Sequence, residues 1–310
     1  MTTTPHSPSH DATTAHATPQ PGPLPRPEDT FGARLRKAMD TRGPLCVGID
    51  PHAALLGAWS LPDSAAGLER FALTVVEALA DRIAVLKPQS SFFERFGSAG
   101  IAVLERTIAE ARDAGALVIL DAKRGDIGST VEAYADAYLD PSSPLFADAV
   151  TVSPYLGFGA LDPFLAAAEH NGCGVFVLAF TSNPEGASVQ RALTSDGTAV
   201  GAAILAQAAE RNGAAVPMGP VGAVIGATLT DPIPFDLASL NGALLAPGLG
   251  AQGATPQDLR ALFGDALPNV VPSMSREILR HGPDVPVLRR VARQAVKDCR
   301  IALGYAFPES

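Results

Sequence analysis

Asp121-Ala122-Lys123-Arg124-Gly125-Asp126 closes the apolar run Leu117-Val118-Ile119-Leu120. On a strand, side chains two apart point the same way, so Asp121 and Lys123 share a face. Asp126 lies past a glycine and can bend back or reach a neighbouring chain. A lysine between two carboxylates is held by charge-assisted hydrogen bonds. Such an array can set a cation beside a reacting carbon and a carboxylate beside a substrate anion. The plainer alternative is a strand end carrying a solvated ion pair.

A second chemical feature lies near the end of the chain. Pro247-Gly248-Leu249-Gly250-Ala251-Gln252-Gly253 holds a Gly-x-Gly-x-x-Gly string between an apolar run and a helical stretch. In a dinucleotide fold that string opens the first βαβ unit, and an acidic residue ends the next strand. Here it follows the seventh apolar run, and the eighth ends Val271-Pro272-Ser273 without a carboxylate. Glycine-exposed N–H groups that cradle a phosphate are the better reading. Ser275 and Arg276 would add a hydroxyl and a guanidinium fork. A tight turn beside a surface arginine is the structural alternative. Taken together, the two loops imply a phosphorylated small molecule.

These groups need a frame to position them. An opening helix, Phe31 to about Arg42, precedes the apolar run 45–49. Further runs follow at 83–86, 117–120, 149–152, 174–179, 221–225, 243–246 and 270–271. Between them lie helical stretches at about 65–80, 102–114, 130–139, 161–170, 187–211, 235–240 and 256–263, and 287–303 closes the chain as an amphipathic helix. Short apolar strands alternating with helices imply a parallel sheet covered by helices. About eight such units predict an α/β fold, a single-domain (β/α)8 TIM barrel over residues 29–310. An open doubly wound sheet has the same periodicity. The polar strand ends favour closure: Asp50, Lys87, Asp121 with Lys123, Ser153, Thr181 with Ser182, Thr228 and Arg276 would converge on one mouth of a barrel.

Composition narrows the functional class. Of 310 residues, 47% are hydrophobic, enough for a sizeable core, and the net charge of −9 argues against a general nucleic-acid or anionic-membrane binder. An anionic small substrate is still compatible, since a few Lys and Arg side chains can dominate the field in a cleft. No run of about 18 apolar residues offers a membrane span. Cys46, Cys173 and Cys299 are widely separated and form no Cys-x-x-Cys pair, so buried thiols in a reducing cytoplasm are expected, with no metal site. Residues 1–28 are rich in Thr, Pro, Ser and His, without apolar periodicity or the layout of a secretory signal, and read as a disordered tail.

From about residue 31 onward the chain resembles the orotidine 5′-phosphate decarboxylase family. The likeness is carried by Cys46-Val47-Gly48-Ile49-Asp50-Pro51-His52, Val85-Leu86-Lys87-Pro88-Gln89 and the run from Asp121 to Thr130. Val152-Ser153-Pro154-Tyr155-Leu156-Gly157, Thr181-Ser182-Asn183-Pro184, the 247–253 loop and Ser275-Arg276 complete it. Single pieces are common; the set is specific. Glu277 stands where the wider family often has glycine, which puts an anion near the phosphate loops.

The resemblance implies decarboxylation of orotidine 5′-phosphate to UMP, the last step of pyrimidine nucleotide synthesis, without metal or organic cofactor. It implies a catalytic array of Lys87, Asp121, Lys123 and Asp126. Asp126 and Thr130 would reach into a partner's site, making the active unit a homodimer. Asp50 and Lys87 would hold ribose hydroxyls and Ser182 would face the pyrimidine. Gly250, Gln252 and Arg276 would hold the phosphate. Related barrels with an Asp-x-Lys-x-x-Asp strand act on sugar phosphates with Mg²⁺. A phosphonucleotide-binding protein without turnover is the other alternative.

Overall fold

The computed structural model describes residues 25–250 and 253–306. Eight parallel strands close a barrel in sequence order: β1 Cys46–Ile49, β2 Val85–Pro88, β3 Leu117–Arg124, β4 Ala149–Val152, β5 Gly174–Phe180, β6 Val221–Ile225, β7 Leu244–Pro247 and β8 Val270–Met274. Closure is made where Cys46 and Val47 of β1 pair with Ser273 and Met274 of β8.

The helices are α1 Phe31–Arg42, α2 Ala53–Ala58, α3 Ala65–Leu79, α4 Ser91–Glu94, α5 Gly97–Asp113, α6 Gly128–Leu139, α7 Asp162–Asn171, α8 Ala187–Gln190, α9 Val200–Asn212, α10 Asp258–Phe263, α11 Arg276–Leu279 and α12 Val285–Leu303. Several start on the caps that their sequences offer. Thr30, Ser64 and Asp284 accept the N–H of Ala33, Gly67 and Val287. In α12, Leu288, Ala292, Ala295, Cys299 and Leu303 recur at helical spacing and are buried.

Strand alternation sorts the core into two layers. Val47, Leu86, Val118, Leu120, Val150 and Val175 face the surrounding helices. Cys46, Val85, Leu117, Ile119, Ala149, Phe176, Val224, Leu245 and Val271 fill the interior, and Phe31, Leu35 and Met39 of α1 close its lower end. Phe31 meets Phe176 edge-on, with centroids 5.9 Å apart. One strand period above this apolar layer come Lys87 after Val85, Asp121 after Ile119, Thr151 after Ala149 and Ser273 after Val271. The same alternation that fills the core therefore delivers a ring of polar groups to the upper end.

Four expectations need correction in detail. The helix expected over 187–211 is two pieces, because Thr194–Thr198 forms a turn. The Asp196 carboxylate accepts from Thr194 Oγ1 and from Thr198 N, and Gly197 takes φ +84°. The 235–240 stretch is a 3-10 turn over Leu237–Leu240. Two strands run longer than their apolar runs: β3 continues to Arg124 and β8 to Met274. Of the expected tail, residues 1–24 lie outside the described residues, while Pro27–Asp29 forms a 3-10 turn.

The lower end of the barrel is held by a buried acid. Asp148, whose side chain is 3% exposed, accepts from Arg34 Nη1 at 2.5 Å and from Val118 N at 2.9 Å. Arg34 also donates to the Gly172 carbonyl, so α1, β3 and the turn before β5 are tied together. Asp148→Ala would leave a buried N–H and a partly buried guanidinium without their acceptor, and should lower stability by about 3 kcal/mol. A denaturant midpoint unchanged from wild type would contradict that expectation.

Candidate active site

At the upper end, Asp50, Lys87, Gln89, Asp121, Lys123, Thr151, Thr181, Ser182, Asn183, Gly248, Ser275 and Arg276 are among the residues lining one cleft of about 320 Å³. Its floor is an ionic array centred on Asp121. Lys87 Nζ donates to Asp121 Oδ2 at 2.8 Å, while Lys123 Nζ donates to Oδ1 at 2.5 Å. Thr151 Oγ1 also donates to Oδ1, at 2.8 Å, and accepts from Lys123 N at 3.0 Å. Both carboxylate oxygens are thus bound before any ligand arrives.

Burial decides the electrostatics of this array. The Lys87 and Asp121 side chains are 7% and 9% exposed; that of Lys123 is 43% exposed and opens to the cleft. Burial alone would push Asp121 up, but Lys87 and then Lys123 outweigh it and hold the carboxyl well below the usual range. Burial would likewise lower Lys87; Asp121 and Asp50 outweigh it and hold the ammonium above the ordinary lysine value. Desolvation pushes the neighbouring Cys46 thiol up to about 12, so it stays neutral beneath the array.

The geometry of β3 differs from simple alternation. Its pairing with β4 shifts between Leu120 and Arg124, and Lys123 takes φ +50°. A left-handed backbone is costly for a non-glycine residue and persists only where its surroundings enforce it. Here Thr151 binds the Lys123 N–H, and Arg124 binds the Ala122 carbonyl and the Glu94 carboxylate. Asp121 and Lys123 therefore meet through a bulged strand end held from both sides.

The polar wall opposite offers unpartnered groups. Among the described residues, Asp50 Oδ1 and Ser275 Oγ are buried without a hydrogen-bond partner. Both lie over Gly48, where an added Cβ would fall 3.2 Å from Asp50 Oδ1 and 2.9 Å from Ser275 Cβ. Two unpaired polar atoms at one spot are suited to ligand hydroxyl or phosphate oxygens.

Most sequence-predicted residues meet here: Asp50, Lys87, Asp121, Lys123, Ser182 and Arg276 share the cleft. Gly250 is placed differently. It takes φ +73° and its N–H donates to Ala254 O, while Gly248 and Leu249 form the wall. Gln252 lies outside the described residues. Asp126 and Thr130 do not line the cleft of their own chain; Asp126 accepts from Ile127 N at 2.8 Å, and Thr130 is exposed.

Two polar strand ends expected at the mouth do not line the cleft. The N–H of Ser153 donates to Arg124 O, and Thr228 lines a separate groove with Asp231 and Phe235. Thr151 takes the place expected of Ser153. The signal for it was a hydroxyl inside the otherwise apolar run Ala149-Val150-Thr151-Val152. Glu277 turns out to be compatible with the phosphate loops. Its stem packs on Gly250, where a Cβ would lie 2.8 Å from Glu277 Cβ, and its carboxylate pairs with Arg280.

Known proteins share the sequence and the fold over most of the chain. Residues 43–291 match the model of the orotidine 5′-phosphate decarboxylase / HUMPS family. Orotidine 5′-phosphate decarboxylase of Streptomyces coelicolor is 62% identical over 275 residues, covering 89% of this chain and 99% of the relative. The Corynebacterium efficiens enzyme of that name is 54% identical over 263 residues, covering 84% and 93%. A crystal structure from Streptomyces avermitilis, carrying the same enzyme's name, superposes with a TM-score of 0.85 at 60% identity and covers 89% of this chain and 96% of its own.

Proposed function

The chain belongs to the orotidine 5′-phosphate decarboxylase family, and from that premise we propose that it converts orotidine 5′-phosphate to UMP and CO₂ with the Lys87–Asp121–Lys123 array, closing the synthesis of pyrimidine nucleotides. The observation that carries this reading is the buried, doubly paired Asp121 beside a half-exposed Lys123 at the cleft floor.

In this reading the pyrimidine faces Ser182, the ribose hydroxyls meet Asp50 and Lys87, and the phosphate meets Arg276 with the 248–252 loop. The substrate carboxylate then lies beside Asp121. Its proximity to a second carboxylate raises the bound ground state. When the C6–carboxylate bond breaks, CO₂ leaves and the electron pair stays on C6. The negative charge moves away from Asp121 and next to the Lys123 ammonium, which stabilises it and gives its proton to C6. Solvent then returns a proton to Lys123. Because the array is already paired, little reorganisation accompanies the step. Phosphate binding, remote from C6, contributes energy for ordering the site.

The active unit in this proposal is a homodimer. Asp126 and Thr130 do not line their own cleft, and the loops after β3 and β4 carry exposed apolar side chains. Ile127 is 63% exposed, Tyr155 78% and Leu156 53%. Such a patch rarely stays bare in a soluble protein, and a second copy docked there would bring Asp126 to the neighbouring array. The three buried free thiols support a reducing, cytoplasmic setting.

The test follows the ultraviolet absorbance of orotidine 5′-phosphate in the presence of EDTA. Turnover is expected to persist. Turnover that returns only with added Mg²⁺ would overturn the metal-free mechanism, and no turnover of this substrate by folded protein would move the assignment to a metal-dependent sugar-phosphate barrel. UMP binding without turnover would make the protein a nucleotide binder.

A further inference from the structure

Gln190, the last residue of α8, is absent from the cleft wall yet holds the wall's polar lip. Its carboxamide grips Thr181 at two points. Thr181 N donates to Gln190 Oε1 at 2.9 Å, and Gln190 Nε2 donates to Thr181 Oγ1 at 2.8 Å. A hydroxyl has a single proton. With Thr181 Oγ1 accepting from Gln190, that proton goes to Asn183 Oδ1, 2.6 Å away. Asn183 Nδ2 is then turned to Glu185 Oε2, at 3.1 Å. The donor–acceptor sense runs one way through the chain, and Gln190 sets it.

In the proposed function, the lip so fixed is the part of the cleft that meets the base. Thr181, Ser182 and Asn183 all line it, and Ser182 lies between the two pinned residues. Ser182 also packs on β6's end so closely that a Cβ on Gly226 would fall 2.8 Å from its backbone nitrogen. The lip is therefore confined from below by Gly226 and from behind by Gln190. None of these bonds touches Arg276 or the loop after β7.

We propose that Gln190 is a positioning residue for base recognition: it fixes the polarity and place of Thr181–Asn183, and so governs affinity for the pyrimidine end of the ligand while leaving the phosphate end unaffected. The inference rests on the reading of this cleft as a pyrimidine nucleotide site.

Calorimetric titration of full-length wild type, Gln190→Leu and Gln190→Glu with UMP and with ribose 5-phosphate tests it. Gln190→Leu should weaken UMP about tenfold, the size expected when a misplaced lip loses about one neutral hydrogen bond to the ligand, and leave ribose 5-phosphate within about twofold of wild type. In turnover the loss should fall on KM more than on kcat, since the lysine–aspartate array is untouched. Gln190→Glu can still accept from Thr181 N but cannot donate to Oγ1, so it should fall between the two. It also decides the matter if the leucine variant does not fold. Unchanged UMP affinity in both variants would overturn the proposal, as would a parallel loss of both ligands, which marks general loosening. Wild type that binds no UMP would remove the premise, and the inference with it, before any substitution is compared.

Discussion

Lys123→Ala is expected to cut turnover of orotidine 5′-phosphate by about four orders of magnitude or more, as one group both neutralises the developing charge and supplies the proton. UMP affinity should change far less, because Lys87, Asp50, Ser182 and Arg276 still line the cleft. The position suits a clean test. Lys123 is the most exposed member of the array, and its removal leaves the buried Lys87–Asp121 pair intact. Asp121→Asn would be harder to read, since it strands the buried Lys87 ammonium and mixes stability with chemistry. A Lys123→Ala enzyme that binds UMP and retains a tenth of wild-type turnover would rule out the lysine as the proton donor.

Asp126→Ala should be almost inactive too, and the two inactive chains should rescue each other. In a heterodimer, the site built on the Asp126→Ala chain keeps its own Lys123 and receives Asp126 from the Lys123→Ala chain. Equimolar mixing followed by exchange of subunits makes half the dimers mixed, each with one complete site. About one quarter of wild-type activity should then return if the sites are shared across a two-fold interface. Failure to restore activity in mixtures shown to exchange subunits would sink the shared-site model. Sedimentation of each variant alone separates that result from loss of the dimer.

Much of this site was legible in the sequence because it is built on strand ends. Runs such as 117–120 and 149–152 announce their own inward faces, and the polar residue one period further on must rise above the core. That logic reaches Asp50, Lys87 and Asp121 directly. It reaches Lys123 for an incomplete reason: alternation predicted a shared face, whereas the structure joins the pair through a bulge and a left-handed residue. Thr151 escaped notice because one hydroxyl in an apolar run reads as tolerated rather than placed. The break at 191–199 was hidden by alanines on either side, although the Asp196-Gly197 pair carried the turn signal. Gln190 was beyond reach altogether, since its bonds depend on how a loop folds back nine residues.

Both ends of the described chain lie at the foot of the barrel. Pro25 sits near Gly172, just before β5, and the segment after α12 is held by Arg300 and by Tyr305, whose hydroxyl donates to Pro268 ahead of β8. A tether at residue 25 or residue 306 therefore leaves the catalytic mouth facing outward. The protein can be fixed to a surface, or fused to another through residue 25 or 306, with substrate still free to enter from the opposite side.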